Sequence, residues 1–141
     1  KGSEQLASML GRRESPATGF VPERWRPDVV SPASPPQALD AAMDPVASQL
    51  AALARRFGAH GVRAVFTVPP LAASERDAPE RRGLRALFVE VARRGGCEVW
   101  NFAPLELPDA WFRDVSHLNR EGRAQYSAAL ARELARVLRL H

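Results

Sequence analysis

Two short β-branched runs with one amphipathic helix between them constrain this chain more than anything else in it. Residues 62–68 read Val-Arg-Ala-Val-Phe-Thr-Val and are stopped by Pro69-Pro70, and residues 97–102 read Cys-Glu-Val-Trp-Asn-Phe. Apolar runs of this length, bounded by Pro or Gly, read as buried strands. Between them Asp77 and Pro79 open a helix over 79–94, and Gly95-Gly96 closes it. Leu84, Leu87, Phe88 and Val91 recur at helical spacing as its inner face. Strand, crossover helix and strand make a βαβ unit, which implies parallel strands and a right-handed crossover. Parallel strands need cover on both faces, and sheets usually hold more than two strands. The expected class is therefore α/β. With only two clear strands, the chain reads as the C-terminal part of a larger α/β domain, its other strands missing or disguised upstream.

A change of pattern near residue 43 divides the chain. Residues 1–43 hold six of the twelve prolines and read as a mostly irregular, extended segment, with a short helix over 3–10. Residues 44–141 carry the α/β part. Asp44 reads as an N-cap with Pro45 at the first helical position. Val46, Leu50, Leu53 and Phe57 follow at helical spacing, and Gly58 or Gly61 ends that helix. After the second strand comes a loop rich in Pro and aromatic residues, from Ala103 to Leu118. Asn119 then caps a last helix with Tyr126, Leu130, Leu134 and Leu138 on one face.

Composition narrows the function classes. The chain is 45% hydrophobic and 26% charged, which is ordinary for a globular protein. No apolar run approaches the roughly 20 residues of a membrane helix, and the first residues show no signal-peptide pattern. The formal net charge is +4, and 19 of the 20 basic residues are arginine. They are scattered in pairs on expected helix faces, without a dense basic run or interleaved aromatics, so no nucleic-acid partner is expected. The lone Cys97 excludes an internal disulfide and reads as an inert core residue. His60, His117 and His141 lack metal-ligand spacing, so no metal is expected.

In open α/β sheets the chemistry sits beyond the carboxyl ends of the strands. There the sequence reads Trp111-Phe112-Arg113-Asp114-Val115-Ser116-His117-Leu118-Asn119. Three residues of separation in a turn let the Asp114 carboxylate reach the imidazole of His117. Such a carboxylate fixes the tautomer and stabilises the imidazolium formed when His takes a proton. His117 is thus the candidate general base and Asp114 its orienting acid. Trp111 and Phe112 either line an acyl or sugar pocket or cover the end of a core, and Arg113 is a candidate contact to an anionic substrate. Ser116 is expected to point away from its neighbour His117, and Asn119 is read as a helix cap.

Asp-x-x-His-Leu-Asn, Gly122 three residues after Asn119, Tyr126 and a terminal amphipathic helix together resemble the last block of the SGNH (GDSL-like) hydrolase superfamily. The resemblance covers about residues 44–140 and is nearest to the branch that adds or removes acyl groups on bacterial carbohydrates. It implies the C-terminal part of a three-layer αβα, flavodoxin-like fold with parallel strands. It also implies serine esterase or O-acetyltransferase chemistry on an acylated carbohydrate that needs no cofactor, with His117 and Asp114 as two members of the triad, and an exported, periplasmic or extracellular location. The family's Gly-x-Ser nucleophile block, its oxyanion-hole glycine and its Gly-x-Asn-Asp block have no counterpart here. The nearest nucleophile candidate is Ser3 after Gly2, with no strand before it. Partners follow from this: the nucleophile-bearing half of the domain, or a second copy covering exposed apolar edges and faces. The alternative is a non-catalytic binding or assembly module of the same fold.

Overall fold

The computed structural model describes residues 21–76, 78–81 and 83–139. The expected helix over 3–10, Ser3 and Asp77 lie outside these. The described elements run β1 (Asp28–Val30), a 3-10 turn (Ala41–Met43), α1 (Asp44–Ala59), β2 (Val65–Val68) and α2 (Ala73–Arg76). A 3-10 turn (Pro79–Arg81), α3 (Leu84–Gly95), β3 (Glu98–Asn101), a 3-10 turn (Asp109–Trp111) and α4 (Arg120–Arg139) follow. The chain is α/β, with a three-stranded sheet in the order β1-β3-β2.

β2 and β3 are parallel, in the register Val65↔Glu98 to Val68↔Asn101, and α3 crosses between them. Both strands are shorter than the apolar runs that signal them. Residues 62–64 lie ahead of the first β3 ladder partner, so they fall outside the strand and Val62 is exposed. Cys97 belongs to the turn out of α3, its N–H donating to the Ala92 carbonyl. Phe102 leaves the strand but still donates its N–H to the Val68 carbonyl at 2.8 Å.

The sheet is not all parallel. β1 pairs antiparallel with β3, Val29 opposite Trp100. It falls inside the segment read as irregular, because three residues between Pro27 and Pro32 carry almost no periodic signal. Proline is tolerated there because β1 is an edge strand among the described residues, with ladder bonds to β3 on one side only. The other edge, β2, has no strand partner among the described residues.

Alternation along β3 sorts the two faces. Val99 turns to one core, with Val30, Phe66, Val68 and the inner sides of α1 and α3. Trp100 turns to the other, with Val65, Leu105, Leu107 and residues of α4. Helices therefore cover both faces of the sheet.

The helices depart from their sequence patterns in instructive ways. The helix expected over 79–94 is split, because Gly83 takes a left-handed φ of +83° and α3 restarts at Leu84. Met43, not Asp44, is the cap position of α1. Asp40 caps the preceding turn through the Ala42 N–H, and Asp44 instead pairs with Arg94 at 2.8 Å. α1 packs through Ala47, Ala51 and Ala54, whereas Val46, Leu53 and Phe57 are exposed and Leu50 is half-buried. Small residues win because α1 and α3 lie very close. A Cβ on Gly95 of α3 would stand 3.0 Å from Ala54 Cβ and 3.2 Å from Ala51 Cα. On α4, Ala129 and Glu133 are buried, Tyr126 and Leu130 pack on the core, and Leu134 and Leu138 are exposed. Glu133 is accommodated by Arg136 and, at 3.5 Å, by Arg26. No helix among the described residues is long and apolar enough to cross a membrane.

Candidate functional site

The loop between β3 and α4 is built as a small closed ring. The Arg113 N–H donates to the His117 carbonyl at 2.7 Å, and Phe112 bridges Leu118. The base of the ring is held by Asn119. Its Oδ1 accepts the Gly122 N–H at 3.1 Å, the N-cap bond expected of it. Its Nδ2 also donates to the Ala110 carbonyl at 2.7 Å, and its backbone N–H donates to the Trp111 carbonyl at 2.8 Å. One residue thus starts α4 and clamps the loop that carries His117.

Gly122 completes the clamp. A Cβ there would clash with the Trp111 carbonyl oxygen and lie 2.8 Å from Leu118 Cδ2. The first obstacle is backbone, so the loop itself would have to move. Gly122→Ala is expected to cost about 3 kcal/mol, at the upper end of overpacking penalties. It should also shift the amide resonances of residues 113–118. Equilibrium urea unfolding and a two-dimensional amide spectrum check both, and unchanged stability would mean that the loop does not close on α4.

Inside the ring Asp114 and His117 meet. Nδ1 of His117 lies 2.8 Å from Oδ1 and 2.9 Å from Oδ2 of Asp114. An ionised carboxylate only accepts, so Nδ1 carries a hydrogen, and in the neutral imidazole the lone pair is on Nε2. Asp114 Oδ1 also accepts the backbone N–H groups of Ser116 and His117, each at 3.0 Å. These bonds hold the Asp114 carboxyl down at about 2, from an ordinary 3.8; the Ser116 N–H is the largest cause and the His117 side chain the next.

The sign of the pH dependence follows. In the unfolded chain the carboxyl takes up its proton at higher pH than in the folded one. The loop's contribution is complete above 3.8 and is lost as pH falls toward 2. A carboxyl ¹³C titration of Asp114 is expected to show a midpoint near 2, and a midpoint near 3.8 would mean that these N–H bonds are not made in solution.

The dyad lies on an open cleft of about 800 Å³, lined also by Pro69, Arg113, Arg123, Tyr126 and Ser127. Pro69 directly follows β2, so the cleft lies beyond that strand's carboxyl end. The loop after β2 is joined to the ring through the Ala72 N–H and the Val115 carbonyl, at 3.3 Å. Of the other sequence candidates, Arg113 is exposed and lines the cleft. Trp111 and Phe112 pack against the apolar cluster beneath α4, and Phe112 also lines a shallow recess with Asp109 and Arg113.

Ser116 departs from the expectation that it points away. Its Oγ lies 3.3 Å from His117 Nδ1 and 3.4 Å from Asp114 Oδ1, because the turn folds all three side chains onto one carboxylate. This places it on the nitrogen that Asp114 already holds. Among the described residues no side chain is bonded to His117 Nε2.

Arg123 and Ser127 escape sequence reading because they lie on α4, at positions that read as a solvated helix face. Only the spacing from Asn119, which brings the first two turns of α4 back over the loop, hints at them. Cys97 is buried, and burial pushes its thiol pKa up. Among the described residues no three His, Cys, Asp or Glu side chains gather where a metal ion would sit. Comparison with protein-family models, curated proteins and solved structures finds no match to this chain.

Proposed function

We propose that this chain carries the base half of an SGNH-type serine esterase or O-acyltransferase, acting on an acylated carbohydrate. The observation that carries the reading is the Asp114–His117 pair on an open cleft, with both carboxylate oxygens within 2.9 Å of Nδ1 and no side chain among the described residues bonded to Nε2. Its position beyond the carboxyl end of β2 supports the reading as well.

In this mechanism a serine Oγ from outside the described residues attacks the acyl carbonyl carbon. His117 Nε2 takes the serine proton, and Asp114 stabilises the imidazolium. Collapse of the tetrahedral intermediate expels the carbohydrate alcohol, which receives that proton from His117, and leaves an acyl-serine. Water, or an acceptor hydroxyl, then attacks the acyl-serine with His117 again taking the proton; collapse breaks the acyl–Oγ bond, returns that proton to the serine and releases the acid or the new ester. Ser3 is the candidate nucleophile within this sequence, and the other source is a further segment that docks on the sheet. Arg113 is placed to meet an anionic group on the substrate.

The absence of a hydroxyl at Nε2 among the described residues favours the second reading, a binding or assembly module of the same fold. Turnover of 4-nitrophenyl acetate by the chain separates the two. Turnover lost in both His117→Ala and Ser3→Ala would place the whole site, nucleophile included, in this chain. Loss in His117→Ala alone would place the nucleophile elsewhere. No turnover by the folded chain would overturn catalysis by the chain alone and leave either a base half without its nucleophile-bearing segment or the binding module.

A further inference from the structure

A second recess of about 440 Å³ lies at the carboxyl ends of β2 and β3, on the side of the sheet covered by α3. Its floor is apolar, made by Val68, Leu71, Leu84 and Phe88. Its rim carries three guanidinium groups from three successive elements. Arg76 ends α2, Arg81 ends the 3-10 turn, and Arg85 is in the first turn of α3. Glu106 supplies one carboxylate to the same lining.

The three arginines are not equally engaged. Arg85 pairs with Asp28 at 3.1 Å and Arg81 with Glu75 at 3.5 Å. Arg76 has no acidic partner among the described residues, and its Nη1 is shut off from water without an acceptor. That one nitrogen has given up hydration without gaining an acceptor, although Arg76 as a whole is only half-buried. The amino end of α3 meets the same wall. Its cap position is Gly83, so no side chain satisfies the first-turn N–H groups, and the positive end of the helix dipole adds to the arginine field.

We propose that this recess binds the carboxylate of a small organic monoanion with an apolar body. A planar carboxylate matches the guanidinium fork, and the apolar floor takes the rest of the molecule. Among the described residues Asp28 and Glu75 already match two of the three arginines, which leaves one positive charge for the ligand. The Glu106 carboxylate opposes a second charge, which selects against phosphate dianion. The site is separate from the dyad: Leu71 faces this recess, whereas Pro69 of the same loop lines the cleft at His117. The proposal does not rest on the ester reading, and its failure would leave that reading untouched.

The test is titration of the chain with benzoate, with benzamide as the uncharged molecule of the same shape, and with inorganic phosphate, followed by amide chemical shifts. Benzoate is expected to give saturable shifts at Leu71, Leu84 and Phe88, with benzamide and phosphate at least about tenfold weaker. Arg76→Met, which keeps the apolar stem, is expected to weaken benzoate by about tenfold, and Arg76→Lys to restore most of the loss. Equal binding of benzoate and benzamide, phosphate binding as tight as benzoate, or an unchanged affinity in Arg76→Met would each overturn the proposal. Should Arg76→Met fail to fold, the contrast between benzoate and benzamide on the unaltered chain decides alone.

Discussion

Truncating Phe102 to alanine is expected to destabilise the protein by about 3–5 kcal/mol, the range for large aromatic residues removed from a packed core. Phe102 has no exposed surface and sits where three parts of the chain converge. Its ring stands 5.1 Å from Tyr126 of α4 in an edge-on arrangement, and 5.6 Å from Trp25 in the segment before β1. Its backbone N–H continues the pairing of β3 with β2 through the Val68 carbonyl. Alanine keeps that bond and loses both ring contacts, so the cost is one of cavity and transfer, not of strand pairing. A domain has only about 5–15 kcal/mol to lose, so the variant should be close to unfolding at room temperature. Urea denaturation measures it as a lower midpoint at constant slope. Leu138→Ala is the control, because Leu138 is 72% exposed and should change stability by no more than about 0.5 kcal/mol. A loss below about 1 kcal/mol in Phe102→Ala would mean that α4 does not pack on this face in solution.

Asp114→Asn is the second large effect, and it acts on rate. The asparagine Oδ1 can still accept the N–H groups of Ser116 and His117, so the loop should stay closed and stability should change little. The anion facing Nδ1 is gone, however, and an amide no longer fixes the tautomer or stabilises the imidazolium. Where the dyad serves a serine nucleophile, turnover of an acetyl ester is expected to fall by about four orders of magnitude. A purely structural Asp114 would give the opposite pattern, with stability lost and any turnover retained. Measuring unfolding and ester turnover on the same preparation separates the two.

The meeting of Asp114 with His117 was legible in the residues because it is local. Two groups three residues apart in a turn have few ways to avoid each other once the turn closes. The cap role of Asn119 was legible for the same reason. Its second role, clamping Ala110 through Nδ2, was not, because nine residues of loop must first fold back. Ser116 shows the limit from the other side. Side chains of neighbouring residues usually diverge, but here one carboxylate draws both Ser116 and His117 to itself.

The sequence by itself determined the α/β class, the parallel pair β2–β3 with its crossover helix, and the turn that carries Asp114 and His117. These rest on periodicity, on Pro and Gly as punctuation, and on short-range geometry, all of which act over a few residues. Only the tertiary structure decided the rest. It recruited Asp28–Val30 as an antiparallel edge strand, since a three-residue strand exists only where a neighbour offers its ladder. It turned α1 onto Ala47, Ala51 and Ala54 instead of its larger residues, since the closeness of α1 to Gly95 sets how much side chain fits between them. It gathered Arg76, Arg81 and Arg85 around one recess, since which residues share a wall depends on how separate elements pack, which no local pattern encodes.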